Sequence, residues 1–131
     1  MYSVKETIVV EGIYDKIKLS EIVDSVIFVV DGFSIFNNKK AQKSLITLAE
    51  KTGLVIFTDS DSAGLKIRNF IKQLVPKEHV KHAYIPEIYG KAYDMLDGRL
   101  EKWDKHSIVA VLSKLVSIDF LVAKNLSFVS L

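Results

Sequence analysis

Two acidic clusters, each directly after a short apolar run, are the residues of this chain best placed to do chemistry. Thr7–Val10 leads into Glu11-Gly12-Ile13-Tyr14-Asp15, and Leu54–Thr58 leads into Asp59-Ser60-Asp61-Ser62-Ala63-Gly64. Carboxylates gathered in one place repel one another, so they require protonation, basic partners or a hard divalent cation. Mg²⁺ accepts carboxylate and water oxygens, and Mn²⁺ is a second candidate. The chemistry in view is phosphate handling at a metal centre. Asp59 and Asp61 alternate along extended backbone, so both side chains face one side and can bracket the same ion. Asp61 or Ser62 could instead cap a helix beginning near Ala63, which accounts for one acid but not for both. Asp15 either joins the ligand set or complements the dipole of a helix that starts beside it.

Around these acids stand groups suited to a phosphodiester. Gly12 allows a tight turn and a close backbone approach. Gly64 and the free amides at the start of the following helix offer a phosphate seat. Lys66 and Arg68 lie just beyond it, with Arg68 and Lys72 on a face opposite the stripe of Ile67, Phe70 and Ile71; ordinary solvated basic residues would look the same. Gly32, Ser34 and Asn37 follow the second apolar run, where Ser34 or Asn37 can meet phosphate or sugar. His79, His82 and His106 are scattered relative to the acids and read as structural or surface histidines.

These clusters meet only if the elements carrying them are parallel strands of one sheet, whose carboxyl ends share an edge and form the functional crevice of open α/β folds. The chain has that rhythm. Strands are expected over Thr7–Glu11, Val26–Val30, Leu54–Thr58 and Val80–Ile85, and helices over Tyr14–Asp24, Lys39–Lys51 and Ala63–Val75, with Phe33–Asn38 a loop. Strand and helix in alternation call for a parallel sheet of about four strands with right-handed crossovers. This α/β core is expected over residues 1–86. Residues 87–131 are expected to form a helical C-terminal segment packed on the core or a partner. It comprises a helix over Lys91–Trp103 and a second one, capped by Ser107 and running to about Lys124, that is apolar nearly all round and therefore buried or interfacial.

A strand ending in Glu-Gly, followed later by a strand ending in Asp-x-Asp with a glycine three residues on, resembles the Toprim domain of topoisomerases, primases and related nucleases. Within that family the likeness is greatest to the ribonuclease M5 branch, which trims precursor 5S ribosomal RNA. Val9–Asp15, Asp31–Ile35 and Ile56–Arg68 carry it, and it covers roughly the first two-thirds of the chain. The resemblance implies a Toprim-like, Rossmann-like fold and Mg²⁺-dependent phosphodiester chemistry on nucleic acid, RNA being favoured over DNA. It makes Glu11 a metal ligand or general acid/base, groups Asp59, Asp61 and Asp15 with it, and assigns Gly12, Gly32, Ser34, Gly64, Lys66 and Arg68 to nucleic-acid binding. A non-catalytic Toprim-fold binding or assembly module, or a primase-type protein, is the alternative. A haloacid-dehalogenase-type phosphatase would carry its aspartyl motif after the first strand, whereas here the motif follows the third.

Composition narrows the classes further. The 131 residues, 49% hydrophobic, suffice for one domain with a real core. Without cysteine there is no disulfide, thiolate nucleophile or thiolate zinc site, which favours magnesium or manganese over zinc. No apolar run reaches bilayer-spanning length and the first residues lack a signal-peptide pattern, so a soluble, cytoplasmic protein is expected. The net charge of +2 is unevenly spread: residues 1–38, 39–81 and 82–131 carry −3, +5 and 0. The middle segment, cationic despite containing Asp59 and Asp61, suits a polyanion.

Overall fold

The computed structural model describes residues 1–58, 61–84 and 103–120, with backbone alone at 119 and 120. Asp59, Ile85 and all but the last residue of the helix expected over Lys91–Trp103 lie outside the described residues. The elements in order are β1 (Tyr2–Val4), β2 (Thr7–Val10), α1 (Ile13–Ser20), β3 (Val23–Asp24), β4 (Ile27–Val29), the 3₁₀ turn η1 (Gly32–Phe36), α2 (Lys39–Thr52), β5 (Leu54–Thr58), α3 (Ser62–Leu74), η2 (Lys77–His79), β6 (Val80–Tyr84), α4 (Lys105–Ser113) and β7 (Ile118–Phe120).

Four of the strands form one parallel sheet in the order β4-β2-β5-β6. Its two central strands, β2 and β5, are buried along their whole length because both faces are covered, as parallel sheets require. Period-two alternation sorts their side chains into two cores. Ile8, Val10, Val55, Phe57 and Ala83 pack with Leu19 of α1 and Ile108 and Leu112 of α4. Val9, Leu54 and Ile56 pack on the other face with Leu45 and Ala49 of α2 and Ile67 and Ile71 of α3. The chain runs outward from β2 to β4, then returns across β2 to β5, so the strand order reverses between β2 and β5. That reversal is where open α/β sheets open a crevice.

Helix boundaries follow local chemistry. Asn38 accepts the Ala41 amide at 3.0 Å and starts α2, and Gly53, at φ +75, ends it. Asp104 accepts the Ser107 amide at 2.8 Å and starts α4. Ser107, expected as the cap, is thus the donor to it.

A second sheet, β3-β1-β7, was not foreseen: β1 runs parallel to β3 and antiparallel to β7. It corrects two expectations. The helix predicted over Tyr14–Asp24 ends at Ser20 and Val23 becomes strand. The last helix stops at Ser113, and Ile118–Phe120 pairs with Val4–Tyr2 instead of continuing it. The apolar side of α4, expected to be buried on the core or in an interface, packs on the core, with Ile108 and Leu112 fully buried; Val109 and Val111 are partly exposed. Among the described residues no helix is long and apolar enough to cross a membrane.

Candidate active site

The carboxyl ends of β2, β4 and β5 share one edge of the large sheet. β2 and β5 are direct neighbours, paired through Val9 and Ile56, so Glu11, just after β2, and Thr58, the last residue of β5, come side by side at the reversal of strand order. The β4 end is tied to the same place: Val30 N donates to Val10 O at 2.9 Å and Gly32 N to Glu11 O at 3.2 Å. Asp31 and Gly32 both adopt left-handed backbone, φ 56 and 61, to make this turn. The second of these conformations is where glycine is needed. Gly12 is different, since its φ of −137 is open to any residue and an added Cβ would meet only the Asp15 carboxylate, at 4.0 Å. Its expected role in a sharp turn is therefore corrected.

Two of the candidate acids also hold helix starts. Asp15 Oδ2 accepts the Gly12 amide at 3.1 Å, at the first turn of α1. Asp61 is the N-cap of α3, and its Oδ1 accepts the Gly64 amide at 2.8 Å. The Gly64 amide, expected to be free for phosphate, is occupied by this carboxylate, and Gly64 itself is buried. The second oxygen of Asp61, on an exposed side chain, has no hydrogen bond among the described residues. Glu11 is half-buried. Among the described residues no three His, Asp or Glu side chains gather closely enough to hold an ion between them. Glu11 and Asp61 are hard oxygen donors on one sheet edge, a donor chemistry that fits Mg²⁺ or Mn²⁺.

Arg68 is the chief correction. Expected on the exposed side of α3, it is 1% exposed. Its Nη2 donates to Thr58 O at 3.2 Å and to Ala83 O, and its Nη1 reaches Ile56 O at 3.4 Å and His82 Nδ1 at 3.0 Å. Its guanidinium carbon lies 4.0 Å from the Tyr84 ring centroid. The spacing already held this answer, for Gly64, Ile67, Arg68 and Ile71 recur at i, i+3, i+4 and i+7 and all four are buried. Burial pushes the Arg68 pKa down, opposed by Tyr84 and by the Glu11 carboxylate. A buried cation thus fixes the carbonyls at the ends of β5 and β6 and attracts Glu11. Burial, then the charges of Arg68 and Lys72, lower the His82 pKa, which keeps that ring neutral and able to accept from Arg68.

Lys66 is exposed, with Nζ 5.9 Å from the Phe33 ring centroid. Ser34, also exposed, donates its hydroxyl to Val30 O at 3.2 Å. Sequence reasoning missed Phe33 and Tyr84, whose positions at or near strand ends were the available signal; His82, expected to be a structural or surface histidine, is the hydrogen-bond partner of Arg68.

Comparison with known proteins gives a consistent picture. A family model described as the Toprim domain matches residues 5–85. Ribonuclease M5 of Clostridium botulinum is 40% identical over 91 residues, covering 70% of this chain and 48% of that protein. The same enzyme of Fusobacterium nucleatum is 39% identical over 88 residues, covering 66% and 46%. That of Bacillus subtilis is 39% identical over 89 residues, covering 67% and 45%. The chain spans about half the length of the curated relatives it matches. In fold it is similar to a small Toprim domain protein from Bacillus stearothermophilus, with a TM-score of 0.60 at 21% identity, covering 88% of this chain and 93% of that one.

Proposed function

Because the chain belongs to the Toprim domain family, we propose that it performs Mg²⁺-dependent phosphodiester hydrolysis of nucleic acid, as a ribonuclease M5-like endonuclease acting on structured RNA in the cytoplasm. The observation that carries this reading is topological. Glu11 directly follows β2 and Thr58 ends β5, and these two adjacent parallel strands flank the one point of the sheet where strand order reverses.

Glu11, Asp59 and Asp61 would hold the cation, with Asp15 beside them. Once bound, it supplies charge stabilisation on the phosphoryl group and lowers the pKa of water. The rest is done by the chain. Glu11 is within the field of the buried Arg68 and, where it is not itself a ligand of the cation, is the carboxylate that takes or returns the proton. Asp61 keeps one oxygen on the α3 amide, which leaves the other for the cation. Lys66 tracks a substrate phosphate, and Gly32 and Ser34 border the strand as it passes the end of β4. Arg68 is a positioning residue that secures the carbonyl of Thr58, the residue immediately before Asp59.

The test is cleavage of a panel of RNA and DNA substrates, including a 5S ribosomal precursor, with and without Mg²⁺. Cleavage of structured RNA that disappears on chelation is the expected result. No cleavage of any substrate, together with no Mg²⁺ binding by calorimetry, would favour a non-catalytic Toprim-fold module.

A further inference from the structure

The rim of the crevice carries an aromatic ring that neither core nor acidic centre uses. Phe33 leaves 51% of its surface exposed, in the turn after β4. A ring on a surface turn gains little by exposure, yet this one is firmly backed. It lies parallel to Phe36, with centroids 5.5 Å apart and planes inclined by 18°. Phe36 in turn meets Phe70 of α3 edge-on, at 5.0 Å and 77°. Three rings therefore run from the α3 layer to the surface, and the outermost is presented on a fixed support.

Its position relative to the acids is also fixed. The preceding residue, Gly32, donates its amide to the Glu11 carbonyl, and Asp31 holds a left-handed conformation uncommon for a non-glycine residue. Strain kept beside a candidate reacting centre points to a function for the turn. Lys66 stands 5.9 Å from the ring centroid, and Lys39, Lys40 and Lys43 are exposed in the first turns of α2, which begins after Asn37 and Asn38 close the turn. An aromatic face flanked by ammonium groups matches one ligand chemistry well, a base and the phosphates on either side of it.

We propose that Phe33 is a stacking platform for an unpaired base of the RNA strand whose phosphodiester enters the acidic centre, with Lys66 and the α2 lysines holding the neighbouring phosphates. This rests on the nucleolytic reading above and adds a substrate preference to it. A fully paired duplex offers no free base face, so the platform selects a bulge, loop or single strand next to the scissile bond.

The experiment uses the full chain as wild type, Phe33→Ala, Phe33→Leu and Phe33→Trp, each checked for unchanged urea unfolding. Affinity is measured without divalent cation for a short labelled single-stranded oligoribonucleotide and for the same sequence as a blunt duplex. Phe33→Ala and Phe33→Leu should bind the single strand about tenfold more weakly while duplex affinity stays constant. Phe33→Trp should restore it, with tryptophan fluorescence quenched on binding. Wild-type affinity in Phe33→Ala would overturn the platform, and wild-type affinity in Phe33→Leu would show apolar contact in place of stacking. Wild type that binds the strand through Phe33 yet cleaves nothing with Mg²⁺ would sink the nuclease reading alone. Wild type that binds neither RNA would overturn both.

Discussion

The Asp61 carboxylate caps α3 with one oxygen and is proposed to serve the metal with the other, so a single substitution there mixes stability with chemistry. A pair of variants separates them. Asparagine caps a helix about as well as aspartate, so Asp61→Asn should unfold at the wild-type urea concentration while losing the charge the reaction needs. Asp61→Ala should lose activity and also about 1 kcal/mol of stability. Equal stability in both variants would show that the cap contributes nothing. Glu11→Gln, at a half-buried position, should leave folding intact and remove turnover, read as kcat under saturating RNA.

At the scale of elements, the ends of β5 and β6 are joined to α3 by Arg68. Replacing it with Met keeps the bulk but leaves the Thr58 and Ala83 carbonyls without their charged donor, and should cost about 3 kcal/mol in urea denaturation. Lys, which lacks the planar fork, should rescue little. A variant of wild-type stability with weakened RNA binding would instead place Arg68 on the surface. His82 gives the same junction a pH dependence. Its folded pKa is depressed below the ordinary 6.5, so the unfolded chain binds the proton first as pH falls. Stability from this group is complete above about 6.5 and declines below it until the folded ring is itself protonated; His82→Asn should flatten that part of the profile. Elements with strong local signals were legible from sequence. Leu54–Thr58 sits between a helix-ending Gly53 and an apolar stripe, and was expected with the bounds it has. The small sheet was not legible, because Tyr2 pairs with Val23 and Phe120 and strands of two or three residues carry no periodicity of their own. Arg68 was misplaced because its type suggested the surface while its spacing assigned it to the buried face.

Taken as a whole molecule, the chain is polarised between a candidate phosphate-handling edge and a closing segment that completes a core. Removing residues 105–131 would uncover Ile8, Val10, Val55 and Phe57 and leave β1 without β7. Such a truncation should fail to give a cooperative thermal transition, and a stable truncated protein would mark the segment as an appendage. The +5 of residues 39–81 should make RNA affinity fall steeply with salt, and Lys66→Ala should lower the slope of log affinity against log salt by about 1 without changing sequence preference. The most direct test is single-turnover cleavage of a 5S precursor RNA by wild type and Asp59→Asn, with RNA affinity measured in parallel. Mg²⁺-dependent cleavage by wild type, lost in Asp59→Asn at nearly unchanged affinity, is the predicted result. Equal cleavage by both proteins would contradict an acidic metal centre at this sheet edge.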